Sequence, residues 1–374
     1  MNESKEKNNR IIISANSCWN LVNFRIGLIE KLIKNNFKIY IVAPKDYTTF
    51  KLKKIGCIFY DIKIDRKKKN IFDVIKNIFF YFKIIKKINP SVFLAFTIKP
   101  NIYGSIVCSY LNINYVNNIT GLGTTFLGNK VIKKIISLLY FIALRKSKMI
   151  FFQNKDDYKL FYEQKILNKN NFSKVIPGSG IEIKNLKNYK NNNKKIIFLF
   201  IGRLIKHKGI YELISAIKKV KKLNSNIDFH ILGSNDKNNS YPVPDKLLHL
   251  WIKNKYIKYF GFKKNIKPFL NKADCVILPS YREGMSRALL EAALNYKPLI
   301  ASNVPGCKDL VKNNINGFLC RPKDTNSLAN AINKFILLSK KQKLLFGINS
   351  RKLVVKNFDQ KIVINKYLQV IKNL

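Results

Sequence analysis

Acidic residues are scarce in this sequence: 21 Asp plus Glu stand against 70 Lys plus Arg in 374 residues, a formal net charge of +49. A field of that sign attracts polyanions, whether nucleic acid, an anionic membrane surface or phosphorylated substrates. Charge alone does not choose among them, because Lys, Asn and Ile are over-used throughout, loops included. Histidine is rarer still, with three residues, and the first of them is His207. The six cysteines (Cys18, Cys57, Cys108, Cys275, Cys307 and Cys320) form no Cys-x-x-Cys pair and sit mostly in apolar runs. They read as buried thiols of a reducing compartment and exclude a disulfide frame or a zinc site. Long apolar runs are absent near the start. Met1 to Arg10 is polar, and Ile11 to Ala15 is too short for a signal peptide or a membrane span, which places the expected protein in the cytoplasm. No Asp-x-Asp metal motif is apparent.

What is present argues for a large folded chain. Hydrophobic residues make up 47%, with 26 Phe and 18 Tyr, which excludes disorder. The length suffices for two domains, each with its own core. Short apolar runs alternate with helical patterns. Ile11 to Ser14 reads as a strand, Ala15 to Asn23 as a loop and Phe24 to Lys34 as a helix; Ile39 to Ala43, Val92 to Phe96 and Tyr115 to Asn117 read as further strands. Ile183 to Lys195 is Asn-rich and has the composition of a linker. A second set follows at Ile196 to Ile201, Phe229 to Leu232, Tyr259 to Gly261, Cys275 to Leu278, Leu299 to Ala301 and Gly317 to Cys320. The expected class is α/β, two doubly wound parallel sheets, with ligands beyond the carboxyl ends of the strands.

The most informative stretch is residues 275–291. Cys275 to Leu278 is a buried strand stopped by Pro279, and Ser286 is placed to cap a helix that starts near Arg287 and ends before Pro298. The free N–H groups of Gly284, Met285, Ser286, Arg287 and Ala288, with the positive end of the helix dipole, make an anion site. Glu283 and Glu291 bracket it. Glu291 lies about 7 Å along the helix from Ser286, where a carboxylate is suited to accept hydrogen bonds from sugar hydroxyls. Taken singly, each glutamate reads as a solvated surface residue. A second anion feature follows the first strand of the second half. Gly202-Arg-Leu-Ile-Lys-His-Lys-Gly209 presents Arg203, a fixed fork for phosphate oxygens, and Lys208, a mobile point charge, just before a helix. In so lysine-rich a chain Lys208 also reads as a solvated charge.

The Glu-x7-Glu pattern after an apolar strand and Pro-Ser resembles the signature of the retaining glycosyltransferases of family 4, which have the GT-B fold. The resemblance extends from Ile196 through Asp324. It implies two Rossmann-like domains facing across a cleft: an acceptor domain over residues 1–185, a nucleotide-sugar domain over 186–355, and a helix within 356–374 that crosses back to the first domain. It also implies roles. Arg203 and Lys208 would hold and stabilise the leaving diphosphate, and Glu283 the sugar hydroxyls. Glu291 would hold the ribose, Phe262 and Lys263 would lie at the base, and Asn16 would complete the donor site. Catalysis would need no metal and no other cofactor. Many retaining members carry a histidine in the first domain that contacts the donor sugar; this sequence has none there, and Lys99 is the candidate replacement. His207 reads as a supporting residue, and His230 and His249 as structural.

Three first-half loops resemble those of bacterial members that extend lipid-linked oligosaccharides: Asn16 to Arg25, Thr97 to Gly104 and Thr120 to Thr125. As isolated patterns they are ordinary loops, the last being a glycine turn that lacks a dinucleotide fingerprint or a P-loop lysine. By resemblance, Lys99, Asn101, Gly121, Gly123 and Thr124 would face the acceptor and donor sugars. Ile71 to Ile88 and Val131 to Met149 are Phe- and Ile-rich with flanking lysines. They fit a helix lying on an anionic membrane surface equally with a core helix that has a solvated basic edge. The expected protein is therefore a glycosyltransferase peripheral to the inner face of the cell membrane. It would move an N-acetylhexosamine from a UDP-sugar to a polyprenyl-diphosphate-linked saccharide. A UDP-sugar 2-epimerase of the same architecture would lack Glu-x7-Glu, and a nucleic-acid-binding protein would rest on charge alone, without a recognition motif.

Overall fold

The computed structural model describes residues 9–63, 71–122, 130–168, 170–184, 194–236 and 241–374. The chain divides into two compact units, residues 1–180 with 360–374, and residues 181–359. Each is built on one parallel sheet. The first holds β1 (Arg10–Ser14), β2 (Lys38–Ala43), β3 (Ile58–Asp61), β4 (Val92–Phe96), β5 (Asn114–Ile119), β6 (Met149–Phe152) and β7 (Ser173–Val175), in the order β3-β2-β1-β4-β5-β6-β7. The second holds β8 (Ile196–Ile201), β9 (Ile227–Leu232), β10 (Lys258–Tyr259), β11 (Cys275–Leu278), β12 (Leu299–Ser302) and β13 (Gly317–Cys320), in the order β10-β9-β8-β11-β12-β13. In both sheets the order reverses beside the first strand, between β1 and β4 and between β8 and β11. At such a switch point the connections leave to opposite faces and open a crevice at the strand ends.

The central strands are apolar on both sides because helices cover both faces. In the first unit Ile12, Val42 and Phe93 pack with Tyr81, Ile102 and Tyr140 on one face. Ile11, Ile13, Leu94 and Phe151 pack with Leu28, Leu32 and Tyr367 on the other. Tyr367 comes from the helix Gln360–Lys372. Its ring lies 4.7 Å from Phe151 and 5.9 Å from Phe96, and Asn118 Nδ2 donates to its hydroxyl at 2.6 Å. In the second unit one continuous core runs from Phe198 and Phe229 to Phe335 and Val354.

Two segments read as loops are helical. The chain enters a helix at Cys18–Phe24, where Ser17 Oγ accepts from Asn20 N at 3.2 Å, and re-enters one at Ile26–Lys34 after a break at Arg25. Only Thr97, with φ 67°, is a true turn before the helix Ile98–Tyr110. Pro100 falls in that helix's first turn, where no intrahelical N–H is required, so it does not act as a breaker.

Candidate functional site

The site is assembled at the carboxyl ends of β8 and β11. Beyond β8 the chain makes a short 3₁₀ turn, Lys206–Lys208, closed by Gly209 at φ 70° before the helix Ile210–Leu223. A Cβ on Gly209 would lie 2.0 Å from Pro279 O, so only glycine lets this turn press against the loop that leaves β11. Tyr281 N donates to His207 O at 2.9 Å and fixes the two loops together. From the other side, Glu283 N donates to Pro305 O at 3.3 Å and Ser286 N to Gly306 O at 3.2 Å. The Glu283 loop is thus held between the ends of β8 and β12. Ser286 Oγ accepts from Leu289 N at 3.3 Å and caps the helix Arg287–Leu294, as the sequence predicts.

The charged side chains of this region are matched in pairs. Lys208 Nζ is bonded to Glu283 Oε1, with the two side chains 21% and 13% exposed. Arg287 Nε meets Glu291 Oε1 at 2.8 Å, one helical turn apart. Arg203 Nη1 meets Asp236 Oδ2 at 2.8 Å and is half exposed. Below them Tyr281 donates its hydroxyl to Glu212 Oε1 at 2.6 Å. Burial, then that carboxylate, push the Tyr281 phenol far up, so it remains protonated and a donor. His207 stacks edge-on against Tyr241 and Tyr281 at 4.9 and 5.8 Å. Burial first, and then Lys206 and Lys323, lower its pKa, so the imidazole is neutral near pH 7.

These positions bring Arg203, Lys208, Glu283, Gly284, Met285 and Ser286 onto two adjoining loops of one sheet, with Arg287 and Glu291 on the helix that the second loop enters. Met285 packs half-buried on the core. Phe262 and Lys263 follow β10 and are exposed; Gly261 O accepts from Gly233 N at 2.9 Å, which ties them to the end of β9. Asn16, Lys99, Asn101 and Gly121 belong to the first unit. Asn16 N donates to Thr97 Oγ1 at 3.1 Å and joins the ends of β1 and β4 at that sheet's own switch point. Lys99 is half-buried on the first turn of the Ile98–Tyr110 helix, and Gly121 sits at φ 112° just past β5. Asn101 is turned inward. It is fully buried, its Nδ2 donating to Asn118 O at 2.8 Å and its Oδ1 accepting from Asn117 Nδ2 at 2.9 Å, because the helix turns it into the sheet. Gly123 and Thr124 lie outside the described residues. Asp236, Glu212 and Tyr281 were not assigned from sequence. A usable signal existed for Asp236: a rare acid just after a strand and glycine.

Among the described residues no group of three or more His, Cys, Asp or Glu is placed to hold a metal ion, and no helix is long and apolar enough to cross a membrane.

Comparison with known proteins agrees with this arrangement over most of the chain. Residues 182–352 match the sequence model of the family described as glycosyl transferases group 1, and residues 10–154 that of glycosyl transferase 4-like. The N,N'-diacetylbacillosaminyl-diphospho-undecaprenol alpha-1,3-N-acetylgalactosaminyltransferase of Campylobacter jejuni is 25% identical, over 98% of this chain and 100% of that protein. The UDP-Gal:alpha-D-GlcNAc-diphosphoundecaprenol alpha-1,3-galactosyltransferase of Escherichia coli is 25% identical, over 78% of this chain and 80% of that protein. Among solved structures, Anabaena HepE in complex with UDP and glucose superposes with a TM-score of 0.76 at 18% identity, covering 98% of this chain and 100% of that one.

Proposed function

Because the chain belongs to the glycosyl transferases group 1, we propose that it is a retaining enzyme that moves an N-acetylhexosamine from a UDP-sugar to a saccharide carried on a polyprenyl diphosphate. The observation that carries the reading is the Lys208–Glu283 pair beside the capped mouth of the Arg287–Leu294 helix. It sets a cation and a carboxylate beside the positive end of a helix, which suits a phosphorylated sugar. The printed activities of the Campylobacter and Escherichia relatives, both transfers to sugar-diphospho-undecaprenol acceptors, support the acceptor class. The UDP donor printed for the Escherichia relative supports the nucleotide.

In this reading the incoming diphosphate exchanges with the carboxylates that now hold the cations. Arg203 leaves Asp236, Lys208 leaves Glu283, and both turn to phosphate oxygens. The freed Glu283 accepts hydrogen bonds from sugar hydroxyls, and Glu291, oriented by Arg287, accepts from the ribose. As the glycosidic bond to phosphate breaks, negative charge grows on the diphosphate, where Arg203, Lys208 and the helix mouth are already aimed. The acceptor hydroxyl oxygen bonds to the anomeric carbon on the face that the diphosphate leaves, and the departing phosphate oxygen takes its proton, so no protein nucleophile is needed and the anomeric configuration is kept. The cations supply the charge stabilisation, so we propose that the reaction needs no metal.

We further propose that the enzyme works on the cytoplasmic face of an anionic membrane. Two helices of the first unit leave large apolar side chains in solvent on the same face of the sheet: Phe72, Ile75 and Phe79 on Ile71–Ile88, and Ile135, Leu138 and Ile142 on Lys130–Leu144. Exposed lysines accompany them, including Lys83, which lies 4.6 Å from the Phe79 ring centroid. Each helix is buried along its inner edge through Tyr81, Ile85, Tyr140 and Leu144, so core packing and an open apolar edge occur on the same helix. Apolar edge and basic rim together suit a helix seated at the lipid interface.

A thermal-shift titration with nucleotides and nucleotide sugars tests the donor half, since a ligand that binds only the folded state raises Tm. UDP and one UDP-sugar are expected to stabilise the protein; stabilisation by GDP alone, or by no nucleotide, overturns the assignment.

A further inference from the structure

We propose that Tyr281 is a positioning residue for Lys208, acting through His207 and Glu212; the inference rests on the reading of Lys208 as a ligand of the donor diphosphate. Tyr281 bonds to the chain on both sides of that lysine. Just before it, His207 O accepts from Tyr281 N at 2.9 Å. Just after it, in the first turn of the helix Ile210–Leu223, Glu212 Oε1 accepts from the Tyr281 hydroxyl at 2.6 Å. The turn that carries Lys208 is shaped by its own bonds, Lys208 N to Ile205 O and Gly209 N to Lys206 O, each at 2.9 Å. Those bonds set its form, whereas Tyr281 ties both of its ends to the loop that leaves β11. Glu283 follows in the same loop, so one side chain spaces the two halves of the Lys208–Glu283 pair.

The phenol is held from more than one side. His207 meets the ring edge-on at 5.8 Å, and Lys323 Nζ lies 5.1 Å from the ring centroid. Lys323 belongs to the loop after β13 and takes φ 60°. Loops from β8, β11 and β13 therefore meet at one ring, and their contacts fix the direction in which its hydroxyl donates. Glu212 has no second donor among the described residues: its Oε2 is shielded from solvent and accepts no hydrogen bond. Without the phenol proton the carboxylate would be a half-buried acceptor with no donor, a costly state that the first helical turn relieves by moving toward water. Lys208 moves with that turn.

Tyr281→Phe removes one oxygen and keeps the ring. Calorimetric titration of the full chain with UDP should show binding about tenfold weaker, the loss of roughly one charge-assisted hydrogen bond from Lys208. The deciding measurement is the same substitution made in Lys208→Gln, where no cation is left to position: there Tyr281→Phe should change UDP affinity by less than about twofold. Glu212→Gln keeps an acceptor oxygen for the phenol and should bind UDP as the unaltered protein does, whereas Glu212→Ala should match Tyr281→Phe. An equal loss from Tyr281→Phe with and without Lys208 would overturn the proposal, because the effect would not then pass through the lysine. Unchanged UDP affinity in Tyr281→Phe or in Glu212→Ala would overturn it too. Hydrogen exchange of residues 205–212 reads the turn with no ligand present and should quicken in Tyr281→Phe. If the unaltered protein did not bind UDP, faster exchange there would keep the positioning role and remove only the donor reading, and unchanged exchange would overturn both.

Discussion

Lys208 and Glu283 lie 75 residues apart in sequence and form an ion pair in which both side chains are largely buried. Each end is held in place by backbone: the Lys206–Lys208 turn by Gly209, and the Glu283 loop by Pro305. Removing one partner from a buried pair leaves the other charge uncompensated, whereas an incoming anion and sugar can replace each partner separately. Glu283→Gln keeps the shape and removes the charge. It is expected to lower kcat by about 100-fold or more, on the scale of deleting one preorganised polar group, while UDP affinity stays within a few-fold. Unchanged turnover, measured by sugar transfer under single-turnover conditions, would refute its role.

Arg203 and Asp236 make a more exposed pair, with 49% and 20% of their side chains accessible. Pairs of this kind are worth only about 0.2–1 kcal/mol, which makes Asp236 a replaceable partner for a group whose eventual ligand is a diphosphate. Arg203→Ala should cost about 3 kcal/mol in transition-state stabilisation. Asp236→Asn should act in the opposite sense on binding, tightening UDP by at most about fivefold. Calorimetry on both variants separates the cases. Weaker UDP binding in Asp236→Asn would mean that the carboxylate positions Arg203 instead of competing for it.

The strands were legible in the sequence because buried parallel strands are near-continuous apolar runs. Ile196–Ile201, Cys275–Leu278 and Gly317–Cys320 have the bounds that their composition predicts. The Ser286 cap was equally plain, since a hydroxyl before a helical pattern has few other local uses. The edge strand β7, Ser173–Val175, was not legible: it has three residues and no apolar run. The burial of Asn101 was not legible for a different reason. An amide next to proline looks like a loop residue, and only the tertiary packing of the Ile98–Tyr110 helix against β5 turns it inward. The pairing of cations with carboxylates was hidden too, because Arg203 with Asp236 and Lys208 with Glu283 join different strand ends.

Two imidazoles give the fold an acid limb. His207 and His230 both have pKa values held below the ordinary 6.5, chiefly by burial and then by neighbouring lysines, Lys206 and Lys323 for one and Lys258 for the other. In the unfolded chain they take up protons near pH 6.5 while the folded protein resists, so the unfolded state binds more protons and stability falls as pH drops below that value. The urea midpoint at about pH 5 should be lower than at about pH 7.5. His207→Gln with His230→Gln should shrink that difference; an unchanged difference would assign the acid limb to the carboxylates.

The four lysines of the Ile71–Ile88 helix, Lys76, Lys83, Lys86 and Lys87, are all exposed. Each cation near an anionic lipid surface contributes about 1 kcal/mol. Replacing all four by Gln should therefore release the protein from phosphatidylserine liposomes in a flotation assay without changing Tm. Leu138→Glu, on the second helix and 59% exposed, should weaken the same binding through the apolar edge. Full retention by both variants would leave these helices as packing elements only.

Gly209 and Gly261 separate backbone conformation from contact. Both adopt left-handed φ, 70° and 68°, but a Cβ at Gly209 would meet Pro279 O at 2.0 Å, whereas one at Gly261 meets nothing within 4 Å. Alanine at either position carries the left-handed cost of about 1–2 kcal/mol. Only Gly209→Ala must also push the Lys206–Lys208 turn off the β11 loop, moving Lys208 away from Glu283. Denaturant unfolding should therefore show a larger stability loss for Gly209→Ala than for Gly261→Ala. The UDP-induced rise in Tm should shrink in Gly209→Ala and persist in Gly261→Ala. Equal behaviour of the two variants would mean that contact between the loops does not set the position of Lys208.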